Sequence, residues 1–314
     1  MKAAQRGAAA PTATVGVIGL GIMGSAMAAN LVKAGFPVLG YDPVAKARAR
    51  LRKAGGTACA NVGEVARGAR FIVLSLPGVA ALEQVCAELI ACGANNLVVA
   101  ETSTLPEAAK LAALATLAPH GIVLLDCPLS GTGAQALNRD LAVYASGDAK
   151  RIKEFGPVFD GFARVRYDVG SFGKGTRMKL VANLLVAIHN VSTAEALMMG
   201  VRSGLAPELV VKVVADGAGG SRMLQVRGPM MVARSWGEAT MKVSTWQKDM
   251  RLINDALQAS DTPAPLFAAC MPIYNAAMAL GHAGDDTAAV YSVLEHMMGT
   301  APIRDAVKRR GKKA

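Results

Sequence analysis

Apolar runs alternate with helical patterns along the first half of the chain. The first run, Val15 to Ile18, leads through a glycine-rich turn into a segment with apolar residues at helical spacing, and a second run, Val38 to Tyr41, follows. Further apolar runs stand at 71–76, 97–100 and 121–125, with helical patterns at 80–92 and 106–117. Strands that alternate with helices form a parallel sheet covered on both faces, so this half predicts an α/β domain.

The pattern changes after residue 133. Apolar runs at 141–147 and 163–170 still predict strands, but nearly everything beyond Gly175 has helical periodicity. Glycine and proline clusters interrupt the helical segments at 204–207, 217–220, 262–265 and 281–285. The sequence therefore predicts a flexible leader at 1–12, an α/β domain at 13–173, a helical domain at 174–301 that begins with a long interdomain helix, and a basic tail at 302–314.

The composition favours a globular protein over a disordered or membrane protein. The chain has 314 residues, of which 52% are hydrophobic, and this content argues against general disorder. The most apolar window, 180–201, is long enough to cross a bilayer, but it contains Asn183, His189, Asn190 and Glu195. Such residues are costly in a membrane, so the window predicts a core helix and no membrane partner.

Charge and cysteine usage narrow the partners and the compartment. The net charge is +11, and the six basic residues and one acidic residue of 302–314 contribute +5 of it. Because the basic residues concentrate at the termini and no basic motif with interleaved aromatic residues occurs, we expect no nucleic-acid partner. The five cysteines have no metal-binding spacing, so we expect no metal site, no disulfide framework and a cytoplasmic location.

A glycine-rich turn supplies the first candidate site. It has the spacing G-x-G-x-x-G, follows the first predicted strand and opens the first predicted helix, and Asp42 ends the second strand. Glycines allow a pyrophosphate to approach the amide groups of a helix N-terminus, and a carboxylate after the next strand accepts ribose hydroxyls. We expect a dinucleotide to contact Gly19, Leu20, Gly21, Ile22, Met23, Gly24 and Asp42.

The carboxylate also bears on which dinucleotide binds. Asp42 repels a 2′-phosphate, so NAD is favoured over NADP. Lys46, Arg48, Arg50 and Arg52 follow it closely and leave NADP possible, unless they form only a solvated helix face.

Four sequence motifs in order resemble those of one enzyme family. They are GLGIMGSAMAANLVKAG (19–35), DCPLSGTGA (126–134), GSFGKGTRMKLVAN (170–183) and WQKDM (246–250). The chain is similar along nearly its whole length to the β-hydroxyacid dehydrogenases, which include 3-hydroxyisobutyrate dehydrogenase. The resemblance implies a Rossmann-type doubly wound parallel sheet, an all-helical C-terminal domain joined by a long interdomain helix, and a homo-oligomer, either a dimer or a tetramer.

The resemblance implies that Lys179 is the catalytic lysine and Asn183 its partner. The two residues stand four apart on a predicted helix, so both project from one face. A lysine there exchanges a proton with the substrate oxygen and, when protonated, stabilises an alkoxide. We expect burial to lower its pKa toward the working range, while a lysine that only snorkels to the surface is the alternative.

The resemblance also implies a substrate-binding turn at Ser130, Gly131 and Thr132. A hydroxyl group and the backbone amides of such a turn suit a carboxylate, although a plain turn is the alternative. The family commonly has glycine where this chain has Thr132, and we expect the threonine side chain to narrow the space beside the substrate. Arg222 is a candidate for binding a second acidic or hydroxylated end of the substrate.

Further cofactor contacts are implied by the resemblance. Leu76 and Pro77 stand where a cofactor loop follows a strand, and Thr104 stands near the expected nicotinamide end. Turn or helix-capping roles are the alternative for these three residues. Lys248 and Asp249 match the family's lysine–aspartate pair near the cofactor, with a surface ion pair as their alternative.

Together, these features predict an NAD-preferring oxidoreductase that transfers a hydride between a small β-hydroxy acid and its semialdehyde or ketone. An imine reductase of the same fold is disfavoured because those relatives generally lack the lysine. A 6-phosphogluconate dehydrogenase is disfavoured because its helical domain is larger. A non-catalytic dinucleotide-binding protein is the alternative from another class.

Overall fold

The computed structural model describes residues 13–299. The leader predicted at 1–12 and the tail predicted at 302–314 lie outside the described residues. The chain divides into two compact units, of which the first ends at Lys179 and the second begins at Leu180. This boundary falls inside the predicted interdomain helix, six residues after the sequence-based boundary at 173.

The first unit is built around a parallel sheet of six strands. Its strands are β1 (Val15–Ile18), β2 (Val38–Tyr41), β3 (Thr57–Ala58), β4 (Phe71–Leu74), β5 (Val98–Glu101) and β6 (Val123–Asp126). The strand order is β3-β2-β1-β4-β5-β6, and every pair is parallel. This is the doubly wound order, in which ligands bind at the carboxyl ends of the strands where the order reverses, here between β1 and β4.

Helices cover both faces of this sheet. They are α1 (Ile22–Lys33), α2 (Ala45–Lys53), α3 (Val62–Gly68), α4 (Val79–Ala91), α5 (Glu107–Leu117), α6 (Gly133–Leu137) and α7 (Ala149–Phe162). Successive residues of β4 enter opposite cores, because Phe71 and Val73 pack with α1 and α7 whereas Ile72 and Leu74 pack with α3 and α4. Burial on both faces explains why these strands read as continuous apolar runs.

A second, smaller sheet completes the first unit. It contains β7 (Leu129–Ser130), β8 (Ala142–Ala145) and β9 (Val165–Asp168), in which β7 and β8 are antiparallel and β8 and β9 are parallel. The strands predicted at 141–147 and 163–170 therefore form, but in this separate sheet. The short elements β3, α3 and α6 were not predicted, because two to seven residues carry too little periodicity.

Helices make up the second unit. The elements are α8 (Lys174–Arg202), which begins in the first unit, and then α9 (Pro207–Ala215), α10 (Arg222–Ala233), α11 (Val243–Ala259), α12 (Pro265–Ala279) and α13 (Val290–Met297). The four predicted breaks separate helices, and a fifth, unpredicted break lies at 234–242. The core of the second unit contains the buried side chains of Leu197, Trp246, Phe267 and Tyr274.

By length and composition alone, α8 could cross a membrane. Core helices pass the same test, and 44% of the most apolar window of α8 is buried inside the protein. The side chains of Ala187, Val191 and Ala194 lie in the core of the second unit. These contacts support the interpretation as a core helix.

Candidate active site

The glycine-rich turn between β1 and α1 is shaped by close backbone contacts. Gly19 has a φ of +87°, and a Cβ atom there would lie 2.1 Å from the carbonyl oxygen of Ser75. A Cβ atom on Gly24 would lie 1.8 Å from the carbonyl oxygen of Gly19. Neither position has room for a side chain: Gly19 allows the turn to approach the end of β4, and Gly24 allows α1 to approach the turn.

Gly21 differs from these two glycines because it faces open space. A Cβ atom there would have nothing within 4 Å, and Gly21 is exposed. It is the N-cap of α1, which has no side-chain cap and no acidic residue in its first turn. The amides of Ile22 and Met23 therefore begin a helix whose positive end is open to an anion. These features fit the pyrophosphate of a dinucleotide.

Asp42 is held in place directly after β2. Its Oδ2 accepts a hydrogen bond from the backbone N–H of Leu20 at 2.7 Å, and its Oδ1 accepts one from Val44 at 2.8 Å. The side chain is 9% exposed. A carboxylate has about four lone-pair sites, so the two oxygens keep capacity for ribose hydroxyls while the amides fix their orientation.

Two of the basic residues behind Asp42 contact backbone carbonyl groups of the predicted dinucleotide site. Arg48 donates to the carbonyl oxygens of Asp42 and Pro43, and Arg50 donates to the carbonyl oxygen of Leu20 at 3.2 Å. Arg48 is half-buried and Arg50 is exposed, so both arginines combine these backbone contacts with a helix face that is partly open to solvent. Their guanidinium groups bring positive charge to the end of the site where Asp42 brings negative charge.

The loops after β4 and β5 are joined by a hydrogen bond. The backbone N–H of Leu76 donates to Oγ of Ser103 at 2.7 Å, and Thr104 follows half-buried. Pro77 is exposed beside Leu76. The predicted cofactor residues of these two loops thus stand at the carboxyl ends of neighbouring strands, where dinucleotide sites form in this topology.

The predicted substrate turn begins at Ser130, the last residue of β7. Ser130 and Gly131 are half-buried, and Gly131 has a φ of +137°, a conformation that favours glycine. Thr132 is the N-cap of α6, because its Oγ1 accepts from the N–H of Gln135 and its own N–H donates to Oε1 of Gln135 at 3.0 Å. The threonine hydroxyl is therefore engaged with α6, a role that the expectation of a narrowed substrate space did not include.

Lys179 and Asn183 lie one turn apart on α8, as the sequence predicted. Lys179 is half-buried and Asn183 is 3% exposed. The Nδ2 atom of Asn183 donates to Oδ2 of Asp249 at 3.0 Å. An ionised carboxylate only accepts hydrogen bonds, so it pairs with the NH2 group of Asn183 and not with the side-chain carbonyl oxygen. This contact therefore fixes the orientation of the Asn183 amide. The contact connects two residues to which the sequence assigned separate roles.

The remaining predicted residues lie in the second unit. Nζ of Lys248 is 3.8 Å from Oδ1 of Asp249, which is buried. Arg222 is exposed and begins α10 directly after the N-cap Ser221. The contacts within this unit thus support a buried pair, Asn183 and Asp249.

The sequence reasoning missed a buried ionic cluster at the ends of β5 and β6. Nζ of Lys110 lies 2.6 Å from Oε2 of Glu101 and 2.8 Å from Oδ1 of Asp126, and all three side chains have no exposed surface. A signal for it was present in the sequence, because Lys110 shares the apolar face of α5 with Ala113 and Leu117. A lysine on the buried face of a helix requires a partner.

Fold and site together define a nicotinamide-dependent oxidoreductase, and comparison with known proteins gives the family. Residues 14–172 match the family model described as the NAD binding domain of 6-phosphogluconate dehydrogenase. Residues 173–294 match the model described as NAD-binding of NADP-dependent 3-hydroxyisobutyrate dehydrogenase. The chain belongs to the β-hydroxyacid dehydrogenase family, as its four motifs indicated.

Individual relatives match most of the chain. The chain is 32% identical to the L-threonate dehydrogenase of Cupriavidus necator, over 89% of this chain and 95% of that enzyme. It is 29% identical to the NAD-dependent L-serine dehydrogenase of Pseudomonas aeruginosa, over 91% and 99% of the two chains. The solved structure of Mycobacterium tuberculosis 3-hydroxyisobutyrate dehydrogenase with L-serine has a TM-score of 0.80 at 26% identity and covers 90% of this chain and 99% of that one.

Proposed function

We propose that this protein is a dehydrogenase that prefers NAD and interconverts a small β-hydroxy acid and its semialdehyde or ketone. One observation carries the proposal: the first unit contains both a dinucleotide site and a candidate proton donor. The dinucleotide site is the glycine-rich turn, which opens a helix without a side-chain cap, with Asp42 bonded to it, and the proton donor is the half-buried Lys179. The first part suits a dinucleotide and the second suits proton transfer to a substrate oxygen.

The residues of this chain supply binding and proton transfer. When bound, the nicotinamide cofactor accepts or returns the hydride. Ser130 and the amides of the turn at Gly131 bind the substrate carboxylate. Neutral Lys179 takes the proton of the substrate hydroxyl during oxidation, and protonated Lys179 returns it during reduction. The protonated lysine also stabilises the negative charge that develops on that oxygen.

Asn183 and Asp249 support the lysine in this proposal. Asp249 fixes the amide of Asn183, which stands one helical turn beyond Lys179. A fixed amide binds a polar substrate group without the entropic cost of ordering its own side chain.

The cofactor preference follows from charge at the ribose site. Asp42 favours the 2′-hydroxyl of NAD, and the NAD-dependent L-serine dehydrogenase among the relatives supports this choice. Arg48 and Arg50 offset part of the repulsion that a 2′-phosphate meets there. We therefore propose measurable but weaker use of NADP.

The substrate class rests on the turn and on the relatives. In this proposal, a carboxylate site and a proton-transferring lysine that act on one substrate suit acids with a hydroxyl group close to the carboxylate. The relatives named for L-threonate and L-serine make these two acids the first members of a test panel. The imine reductase alternative is not favoured, because the chain has a lysine at position 179 and the two curated relatives described above are named for L-threonate and L-serine.

The test measures nicotinamide absorbance after purified protein is mixed with NAD or NADP and a panel of β-hydroxy acids. We expect one acid to reduce NAD, and Lys179→Ala to lower the rate by about 10³-fold while NAD still binds. Lys174→Ala, which removes an exposed lysine from the same helix, is the matched control and retains full activity. Full activity in Lys179→Ala rejects the lysine's role, and NAD binding without oxidation of any acid rejects the dehydrogenase.

We also propose a homo-oligomer that works in the cytoplasm. Large apolar side chains are exposed on the second unit, among them Met199 at 74%, Leu266 at 67% and Val213 at 60%. All five cysteines are free, which suits a reducing compartment. Light scattering on the purified protein tests the first part, and a monomeric mass rejects it.

A further inference from the structure

A buried lysine stands between the ends of two strands that carry predicted site loops. Lys110 reaches from α5 to Glu101, the last residue of β5, and to Asp126, the last residue of β6. We call these three side chains the ionic clamp. Thr104 follows Glu101 by three residues and Ser130 follows Asp126 by four. The clamp therefore holds together the strand ends from which the nicotinamide loop and the substrate turn begin.

The clamp contains one positive and two negative charges without exposed surface. Burial lowers the pKa of Lys110, but the adjacent carboxylates of Glu101 and Asp126 outweigh burial and raise the pKa above its usual value. The lysine therefore stays charged at neutral pH. The surplus negative charge lies on carboxylates that also accept hydrogen bonds from backbone N–H groups. These hydrogen bonds lower the free-energy cost of burying the charge.

One branch of hydrogen bonds leads from the clamp to the loop after β4 that contains Leu76 and Pro77. Oε1 of Glu101 accepts from the backbone N–H of Ser103 at 2.8 Å. Oγ of Ser103 in turn accepts from the N–H of Leu76 at 2.7 Å. The position of Leu76 after β4 is thus coupled to the carboxylate that ends β5.

A second branch leads to the helix that carries Lys179. Asp126 accepts from the backbone N–H of Thr176 at 2.7 Å through Oδ2 and from its hydroxyl at 2.8 Å through Oδ1. Oγ of Ser146 accepts from the N–H of Gly175 at 2.9 Å and donates to Asp126. Gly173, the residue before α8, has no side chain to cap the helix. Asp126 and Ser146 provide the cap from another part of the chain.

The first turn of α8 is packed tightly against this cap. A Cβ atom on Gly175 would lie 2.5 Å from the carbonyl oxygen of Tyr144 and 2.6 Å from that of Asp126. Lys179 follows Gly175 by four residues and Thr176 by three, so it projects from the same face one turn later. A shift or rotation of the first turn therefore moves Lys179 directly.

We propose that Glu101, Lys110 and Asp126 are positioning residues, which set Lys179 in register with the substrate turn and the nicotinamide loop. The role in catalysis rests on the proposed function of Lys179. Stability alone does not explain the clamp, since apolar residues of similar volume in place of a buried ionic group are often as stable or more stable. Fixed geometry explains it, because proton and hydride transfer are sensitive to displacements of about 1 Å.

The test compares Thr176→Val with Thr176→Ser in the full chain. Valine has nearly the same shape as threonine but loses the hydroxyl that Asp126 binds, whereas serine keeps it. Glu101→Gln tests the other branch with a neutral side chain of the same shape. Four quantities are measured: amide hydrogen exchange in the first turn of α8, the rate at which acetic anhydride acylates Lys179, read by peptide mass spectrometry, and kcat and KM with the best acid.

We expect Thr176→Val to raise the exchange rate of the first-turn amides about tenfold and to lower kcat about tenfold. The KM for NAD stays within about twofold of the wild-type value. The acylation rate of Lys179 in Thr176→Val differs from the wild-type rate by about threefold or more, because the lysine side chain changes position with the first turn of α8. Thr176→Ser restores all three values. We expect Glu101→Gln to change the acylation rate and kcat in the same way.

The readouts separate this proposal from the proposed function. If the wild-type protein oxidises no acid, the dehydrogenase proposal fails, while hydrogen exchange and acylation still report whether the clamp positions Lys179. Unchanged exchange and unchanged acylation in Thr176→Val overturn the clamp even in an active enzyme. A loss of kcat that tracks only a lower melting temperature, and that serine does not restore, also overturns it.

Discussion

Asn183 and Asp249 form a hydrogen-bonded pair in the core of the second unit, with Nδ2 of the amide 3.0 Å from Oδ2 of the carboxylate. Both side chains are buried, at 3% and 4% exposure, and the residues are 66 positions apart in the sequence. The pair joins α8 to α11. It therefore connects the helix of the proposed catalytic lysine with the motif that resembles the family's lysine–aspartate pair.

We predict that Asn183→Asp destabilises the protein at neutral pH. The substitution places two carboxylates about 3 Å apart in a buried site, which raises the pKa of one of them above its unfolded value. The destabilisation is present at neutral pH and is relieved as the pH falls through that raised pKa. Melting temperatures measured against wild type near pH 5 and pH 7.5 test this, because the gap between the two proteins narrows at the lower pH.

Asn183→Leu is the control for this variant. It removes the hydrogen bond without adding a charge, so its gap to wild type narrows less on acidification than the gap of Asn183→Asp. A gap for Asn183→Asp that stays the same at both pH values contradicts the close contact with Asp249.

We predict that Asp42→Asn shifts cofactor preference toward NADP. Asparagine can still accept the N–H of Leu20, but the negative charge that repels a 2′-phosphate is gone, while Arg48 and Arg50 remain. We expect the ratio of the Kd values for NADP and NAD to fall about tenfold or more. Fluorescence titration with each cofactor measures the ratio.

The arginines provide the matched comparison. In the Asp42→Asn background, Arg48→Ala weakens NADP binding more than NAD binding. Arg52→Ala, on the exposed side of α2, leaves the ratio within about twofold. Equal effects of the two alanine variants reject a role for Arg48 at the 2′-position.

Gly21 and Gly24 are predicted to fail differently when replaced by alanine. Gly21 has a φ of −66° and open space around its Cβ position, so Gly21→Ala folds normally and the added methyl occupies the space for the pyrophosphate. Gly24→Ala places a methyl group 1.8 Å from the carbonyl oxygen of Gly19, so it lowers the free energy of unfolding as well.

Thermal denaturation with and without NAD separates the two cases. Without NAD, we expect Gly21→Ala to have the same melting temperature as the wild-type protein. With NAD, we expect it to lack the rise in melting temperature that NAD gives the wild-type protein. Gly24→Ala melts earlier in both conditions. NAD stabilisation of Gly21→Ala equal to that of wild type excludes this turn as the pyrophosphate site.

The parts of the fold and site that the sequence predicted depend on local pattern. The strand Val15–Ile18, the glycine spacing and Asp42 lie within one βαβ segment, where each residue constrains its neighbours. The spacing of Lys179 and Asn183 is also local, because four residues make one helical turn. These features need no knowledge of how distant segments pack.

What the sequence did not predict depends on long-range contacts. The apolar face of α5 marks Lys110 as buried, but its partners Glu101 and Asp126 come from β5 and β6 and are known only from the folded structure. Asp126 was noted only as the start of a motif, although it caps a helix 50 residues later in the chain. Thr132 was assigned to the substrate, and only the short helix α6, too short for a periodicity signal, reveals its capping role.

A buried ion pair between Arg227 and Asp286 stabilises the second unit. Nε of Arg227 lies 3.0 Å from Oδ1 of Asp286, and the same carboxylate accepts the hydroxyl and N–H of Thr240. Burial raises the pKa of Asp286, but Arg227 and these hydrogen bonds outweigh burial and lower it below the usual value. The charged form is therefore the one that the folded protein stabilises.

The sign of the pH dependence follows from that lowered pKa. Asp286 stabilises the fold fully above the pKa of the unfolded chain, near pH 4, and its contribution is lost as the pH falls through the lower folded value. Asp286→Asn leaves Arg227 buried without its charge partner, which costs about 3 to 5 kcal/mol at pH 7. Urea denaturation at several pH values tests this: we expect a constant difference from wild type between about pH 5 and 8 and a smaller one below about pH 4. A difference that grows on acidification contradicts the lowered pKa.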